Sequence, residues 1–143
     1  MNTTVLLVDD EVPFVETMKK RLSKRNLSVL TAFSGPEALE RIGKIGNIDV
    51  IILDVKMPGM DGIETLREIK KLCPLIEVIM LTGHATIETG IEGMKLGAFD
   101  YLMKPCDIDL LLTKVNEAKG KKSKHEEKIT QARIQEIALR RGG

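Results

Sequence analysis

Three acids stand in a row at Asp9, Asp10 and Glu11, directly behind the apolar residues Leu6, Leu7 and Val8. A fourth, Asp54, closes a second apolar run, "DVIILD". Adjacent carboxylates repel one another, and desolvating them costs free energy unless a cation compensates. One acid is enough to cap a helix, so a cap alone does not explain the row. Two further residues end apolar runs in the same way: Thr82 after "VIML" and Lys104 after "DYLM". Brought together, three carboxylates (Asp9, Asp10, Asp54), a hydroxyl and an ammonium would suit an anion carried with a divalent metal. Hard oxygen ligands favour Mg²⁺, which keeps several waters and takes a few carboxylates plus phosphate oxygens. The simplest such anion is a phosphoryl group.

The elements that must position these residues follow from five short apolar runs at 4–9, 27–32, 49–54, 76–81 and 98–103. Near-continuous apolar runs of this length predict strands covered on both faces. Helical spacing fills the intervals: Phe14, Val15, Met18 and Leu22; Ala38, Leu39 and Ile42; Ile63, Leu66 and Ile69; Ile87, Ile91 and Met94; Ile108, Leu111, Leu112 and Val115. Ser34 with Pro36, Asp61 with Glu64 three residues on, and Asp107 read as helix starts. Gly43, Gly46 and Gly97 read as stops. The alternation is (βα)5, an α/β pattern that predicts a parallel sheet with right-handed crossovers and helices on both faces. Five units are too few for an eight-stranded barrel. The expected fold is a flavodoxin-like, doubly wound sheet of order 2-1-3-4-5, with ligands at the carboxyl ends of the strands. In that order the first and third strands are neighbours, so Asp9, Asp10 and Asp54 meet at one rim.

Composition excludes several classes. The chain has 143 residues, 43% apolar and 30% charged, as a globular domain does. It has no Trp and one Tyr, which argues against a stacking platform for single-stranded nucleic acid. No apolar run reaches the roughly 18 residues of a membrane span, and the start does not read as a signal peptide. Cys73 and Cys106 lack metal-site spacing and suit free thiols in a reducing cytoplasm. Residues 1–115 carry 14 Lys/Arg against 17 Asp/Glu, while 116–143 carry 8 against 4. The expected organisation is a domain over 1–118 and a basic, helical extension or linker over 119–143. The run "AKGKKSK" (118–124) reads as a solvated, flexible or helical basic stretch, and direct nucleic-acid binding is not expected. Ile134, Ile137, Ala138 and Arg141 share a stripe, with Ile129 off it, too brief to specify a coiled coil.

The motifs "VDDE" (8–11), "DVKMPGMDG" (54–62), "LTGHA" (81–85) and "GAFDYLMKP" (97–105), in this order and at strand ends, resemble the receiver domain of two-component response regulators. The resemblance covers residues 3 to about 118. Its segment 81–105 is similar to receivers of enhancer-binding transcription activators. The resemblance implies that Asp54 accepts a phosphoryl group from a sensor histidine kinase. Asp9 and Asp10 would hold Mg²⁺, with Asp10 favoured as the direct ligand, joined by Asp54 and the backbone carbonyl of Lys56. Lys104 and Thr82 would engage phosphoryl oxygens. Glu11 would open the first helix, where an acid suits the dipole. A cis Lys104–Pro105 bond would aim the ammonium inward. Thr82 and Tyr101 would act as the switch, repacking the face made by the fourth helix, the fifth strand and the fifth helix for an output partner. Lys56 and His84 would tune the lifetime of the phosphoryl group. A homodimer is left open, and so is whether the chain is free-standing or a fragment of a transcription activator. Such a module turns over only its own phosphoryl group and is not an enzyme on other substrates. Three rivals fare worse. An aspartate-based phosphatase wants an Asp-x-Asp pair on the first strand and a cap domain, an FMN binder would be repelled by "DDEVPF", and a phosphorylation-independent interaction module has no use for the five-residue rim.

Overall fold

The computed structural model describes residues 2–142. Five parallel strands, β1 (Thr3–Val8), β2 (Leu27–Ala32), β3 (Val50–Leu53), β4 (Glu77–Thr82) and β5 (Asp100–Met103), form one sheet of order β2-β1-β3-β4-β5. The helices α1 (Val12–Ser23), α2 (Gly35–Lys44), α3 (Gly62–Leu72), α4 (Ile87–Lys95) and α5 (Ile108–Gly142) alternate with them. The expected fold and strand order are those observed.

Alternation along each strand builds two cores, one per sheet face. Leu6, Val8, Ile51, Leu53, Val78 and Met80 pack with Ala38, Ile42, Ile63, Leu66 and Ile69 of α2 and α3. Val5, Leu7, Val50, Ile52, Ile79 and Leu81 pack with Val15, Met18 and Leu22 of α1 and with Ile108, Leu111, Val115 and Ala118 of α5. Two-sided burial is why the strands read as unbroken apolar runs. Registry does the rest: Val8 lies opposite Leu53 and Thr82 opposite Met103, so the residues that follow these strands share one rim.

The helix starts are as expected at Ser34 and Asp61, whose side chains accept from the backbone N–H groups of Glu37 (3.2 Å) and Glu64 (2.9 Å). The Asp107 carboxylate takes the N–H of Asp109 at the start of α5. The reciprocal capping box forms elsewhere, between Thr86 and Thr89 at the start of α4. Of the expected stops, Gly97 is left-handed (φ +100°), but Gly43 lies inside α2, and the left-handed residue after that helix is Asn47 (φ +67°) rather than Gly46. Asn tolerates this region because its short polar side chain can bond locally. Cys73 and Cys106 are free, and the Lys104–Pro105 bond is cis.

Two features are set by the tertiary structure. Ile87, Ile91 and Met94 of α4 do not face the core: Ile87 is 83% exposed, and among the described residues of α4 only Gly93 is buried. The helix lies close to β5 on its glycine face, which turns its larger apolar residues to the surface. The basic run 118–124 takes the helical form among the expected alternatives. It continues α5, and its lysines reach the amino-terminal edge of the sheet. Lys119 Nζ donates to Thr3 Oγ1 (3.2 Å), while Lys121 pairs with the buried Glu77 (3.7 Å) and Lys122 with Asp49 (3.8 Å). Beyond it, Ile129, Ile134 and Ile137 are exposed. No helix among the described residues is long and apolar enough to cross a membrane.

Candidate functional site

The rim is built from four strand ends. Asp9 follows β1, and its backbone N–H donates to Ala32 O (3.1 Å). Asp54 follows β3, tied by its own N–H to Val8 O (3.0 Å). Lys104 follows β5 and donates its backbone N–H to Thr82 O (2.9 Å) at the end of β4. Main-chain bonds between neighbouring strands thus fix all four residues.

Carboxylate oxygens of Asp9, Glu11 and Asp54 lie within 4.8 Å of one another. Asp54 is only 2% exposed, and its buried Oδ1 has no hydrogen-bond partner among the described residues. Lys104 Nζ stands 2.6 Å from Asp9 Oδ2 and 3.4 Å from Glu11 Oε1, and 4.0 Å from the centre of the Phe14 ring. Burial pushes the Asp9 carboxyl above its ordinary range, helped by the charge of Asp54 and opposed by hydrogen bonds from Lys104 and the Glu11 N–H. Burial works against the Lys104 charge, but the Asp9 hydrogen bond and the charges of Asp9, Asp54 and Glu11 outweigh it and hold its pKa above the ordinary value. One ammonium thus serves three carboxylates, and the pocket retains an excess of negative charge. A hard cation fits that donor set.

Sequence reasoning placed Asp10 in this cluster and Glu11 on the helix. Glu11 does stand at the N-cap of α1, but its side chain makes no cap bond and joins Asp9 and Asp54 instead. Asp10 lies beside them, lining a cavity of about 430 Å³ with Glu11, Lys56, Met57, Pro58 and His84. Glu11 thus belongs both to the carboxylate cluster and to the cavity that Asp10 lines. Lys56 and His84 line that same cavity. Thr82 is fully buried, and its Oγ1 accepts the His84 N–H (3.0 Å), which leaves its own proton to give. Tyr101 is half-buried, with its hydroxyl 2.7 Å from Thr89 Oγ1.

The loop after Asp54 depends on two glycines. Gly59 is left-handed (φ +74°). Gly62 donates its N–H to Val55 O, and a Cβ there would lie 2.0 Å from Asp54 O. Only glycine lets α3 begin this close to the Asp54 backbone. Chemically, the rim sets carboxylates, an ammonium and a hydroxyl together, a set that can meet a hard cation and anionic oxygens.

Residues 5–116 match the family model described as the response regulator receiver domain. The chain is 39% identical over 117 residues to the transcriptional regulatory protein ZraR of Escherichia coli (strain K12), covering 82% of this chain and 26% of that protein. It is 36% identical over 114 residues to the DNA-binding transcriptional regulator NtrC of the same organism, covering 80% of this chain and 24% of that one. It therefore spans about a quarter of the length of these curated relatives. A crystal structure of a response regulator receiver domain protein from Clostridium thermocellum superposes with a TM-score of 0.81 at 40% identity, covering 85% of this chain and 97% of the other. The sheet order agrees with these matches, and the chain belongs to the response regulator receiver domain family of two-component systems.

Proposed function

We propose that Asp54 is the phosphoryl acceptor of this receiver. The observation that supports this reading is the buried Asp54 carboxylate, whose Oδ1 lacks a hydrogen-bond partner among the described residues and which clusters with Asp9 and Glu11 within reach of the Lys104 charge. The donor is a phosphohistidine on a sensor histidine kinase, and the setting is the cytoplasm. An Asp54 carboxylate oxygen attacks the phosphorus. The phosphorus–nitrogen bond of the donor breaks, its electron pair returns to the imidazole, and Asp54 carries an acyl phosphate.

Two anions meet in this step, so neutralisation of the phosphoryl oxygens governs it. Mg²⁺ would be held by Asp9 and Asp54, with Glu11, Asp10 and the Lys56 carbonyl as the remaining protein donors at that end. When bound, it would supply positive charge to the transferring group. Lys104 gives up part of its pairing with Asp9 to meet a phosphoryl oxygen, and Thr82 donates its free proton to another. Lys56 and His84 flank the approach of water and set how long the group survives.

The output surface is the α4–β5–α5 face. Ile87, Ile91, Met94, Met103 and Leu110 are large, apolar and exposed on these elements. Thr82 at the end of β4 and Tyr101 on β5 connect the rim to that face, and phosphorylation shifts its population between two packings. In the relatives whose names state transcriptional regulation, such a face would direct the rest of a longer chain. The same output is proposed for this receiver. Mass spectrometry after treatment with Mg²⁺ and acetyl phosphate tests the reading. A base-labile phosphoryl group on Asp54 is expected; a modification elsewhere, or none, overturns it.

A further inference from the structure

α4 is weakly fastened. Among its described residues only Gly93 is buried, and Ile87, Ile91 and Met94 face outward. Beneath its first turn runs an open groove of about 440 Å³, lined by Val55, Lys56, His84, Ala85, Thr86 and Thr89. That turn therefore lacks packing on the side of the loop after β3. What faces it from β5 is Tyr101. Ideal Cβ atoms at Gly90 and Gly93 would stand 3.9 and 3.7 Å from the two edges of the Tyr101 ring, so the ring occupies a slot formed by two glycines. Its hydroxyl reaches Thr89 Oγ1 at 2.7 Å.

That bond belongs to the hydrogen-bond network of the first turn. Thr89 Oγ1 already accepts the Thr86 N–H (3.1 Å), and Thr86 Oγ1 accepts the Thr89 N–H (3.1 Å). The single Thr89 hydroxyl proton has two neighbours within the turn, Thr86 Oγ1 at 2.9 Å and Thr86 O at 3.1 Å. A hydroxyl has one proton to give and two lone pairs to receive. The network closes with the Thr89–Tyr101 bond in either direction, so in both cases the phenol hydroxyl ties the ring to the turn.

We infer that Thr89 is a positioning residue that latches Tyr101 to the first turn of α4, so that the phenol hydroxyl sets the local stability of that helix. The inference rests on the proposed reading in one respect, that α4 belongs to the responding face. Coupling of this kind is reciprocal. Displacing Tyr101 frees the first turn of α4, and a partner that distorts that turn frees Tyr101.

The test uses the full chain, unphosphorylated, and reads amide hydrogen exchange across α4. Tyr101→Phe removes only the hydroxyl and touches no residue of the helix. It should lower protection of the α4 amides about fivefold, the factor that one net hydrogen bond supports. Thr89→Ser should match the wild type. Thr86→Val breaks one bond of the capping box yet keeps the Thr89 hydroxyl. Tyr101, the only tyrosine in a chain without tryptophan, should therefore keep its wild-type emission in that variant and change it in Thr89→Val. In the double variant Thr89→Val, Tyr101→Phe, the two losses should overlap rather than add. Unchanged α4 protection in Tyr101→Phe, or full additivity in the double variant, overturns the latch. None of these readouts requires phosphorylation, so a failure of Asp54 to take up phosphate would overturn the proposed function alone.

Discussion

Replacing Asp54 with Asn should make the protein more stable while abolishing phosphoryl uptake. In the folded state Asp54 has two carboxylate neighbours, Asp9 and Glu11, within 4.8 Å. At that separation and an effective dielectric constant of about 20, each ionised pair repels by about 3.5 kcal/mol. Removing the Asp54 charge relieves both repulsions, but it also removes the attraction between Asp54 and Lys104. The amide can donate to either remaining carboxylate. A net gain of about 2 kcal/mol is expected after these offsets, which would raise Tm by roughly 5–10 °C for a domain of this size. The gain should depend on pH in a stated direction. Burial and the charge of Asp54 hold the Asp9 pKa above its ordinary value of 3.8. A raised folded-state pKa contributes stability that is complete below the unfolded value and is lost as pH rises through the folded one. The wild type should therefore lose stability across that window, and the advantage of Asp54→Asn should be largest above the raised Asp9 pKa and shrink as pH falls through it. Thermal unfolding followed by circular dichroism, repeated across the acidic range, measures this. An Asn variant no more stable than the wild type near neutral pH would show that the cluster is not repulsive and would refute the reasoning.

Other outcomes follow from the same geometry. Mg²⁺ at tenfold its dissociation constant should stabilise the wild type by about 1.4 kcal/mol in thermal unfolding. If Asp10 is a direct ligand, Asp10→Ala should lose that gain, whereas its loss only in Glu11→Ala would assign the metal to the carboxylates that cluster here. Gly62→Ala should destabilise the fold by about 3 kcal/mol or more in denaturant unfolding, because its Cβ would meet Asp54 O at 2.0 Å. Lys121→Ala should cost about 1 kcal/mol in the same assay, since the buried Glu77 would keep only Lys70 at 4.0 Å while Lys121 is itself half-exposed. The double variant Lys56→Ala, His84→Ala should lose radiolabelled phosphate faster than the wild type, since side chains across the mouth obstruct the attacking water; slower decay would instead make His84 a general base.

The sequence by itself determined the fold and the location of the rim. Strands covered on both faces must be apolar along their length, and such runs are short enough to count. When each is followed by a helix, the parallel sheet and its order follow, and Asp9, Asp54, Thr82 and Lys104 then fall at strand ends on one edge. Tertiary structure decided which side chains meet there. Asp10 and Glu11 are equal as residue types, and only the folded chain brings Glu11 within 3.4 Å of Lys104 while both residues line the neighbouring cavity. It also decided the fate of α4. Ile87, Ile91 and Met94 have the spacing of a buried stripe, but Gly90 and Gly93 admit the Tyr101 ring, so the opposite face packs and the apolar stripe is left to the surface. The lysines of 118–124 look solvated in a linear reading because the acids they meet, Asp49 and Glu77, are distant in sequence. Only the closed sheet carries those acids to the edge along which α5 runs, where Lys121 adds a second cation to the one that Lys70 brings to the buried Glu77.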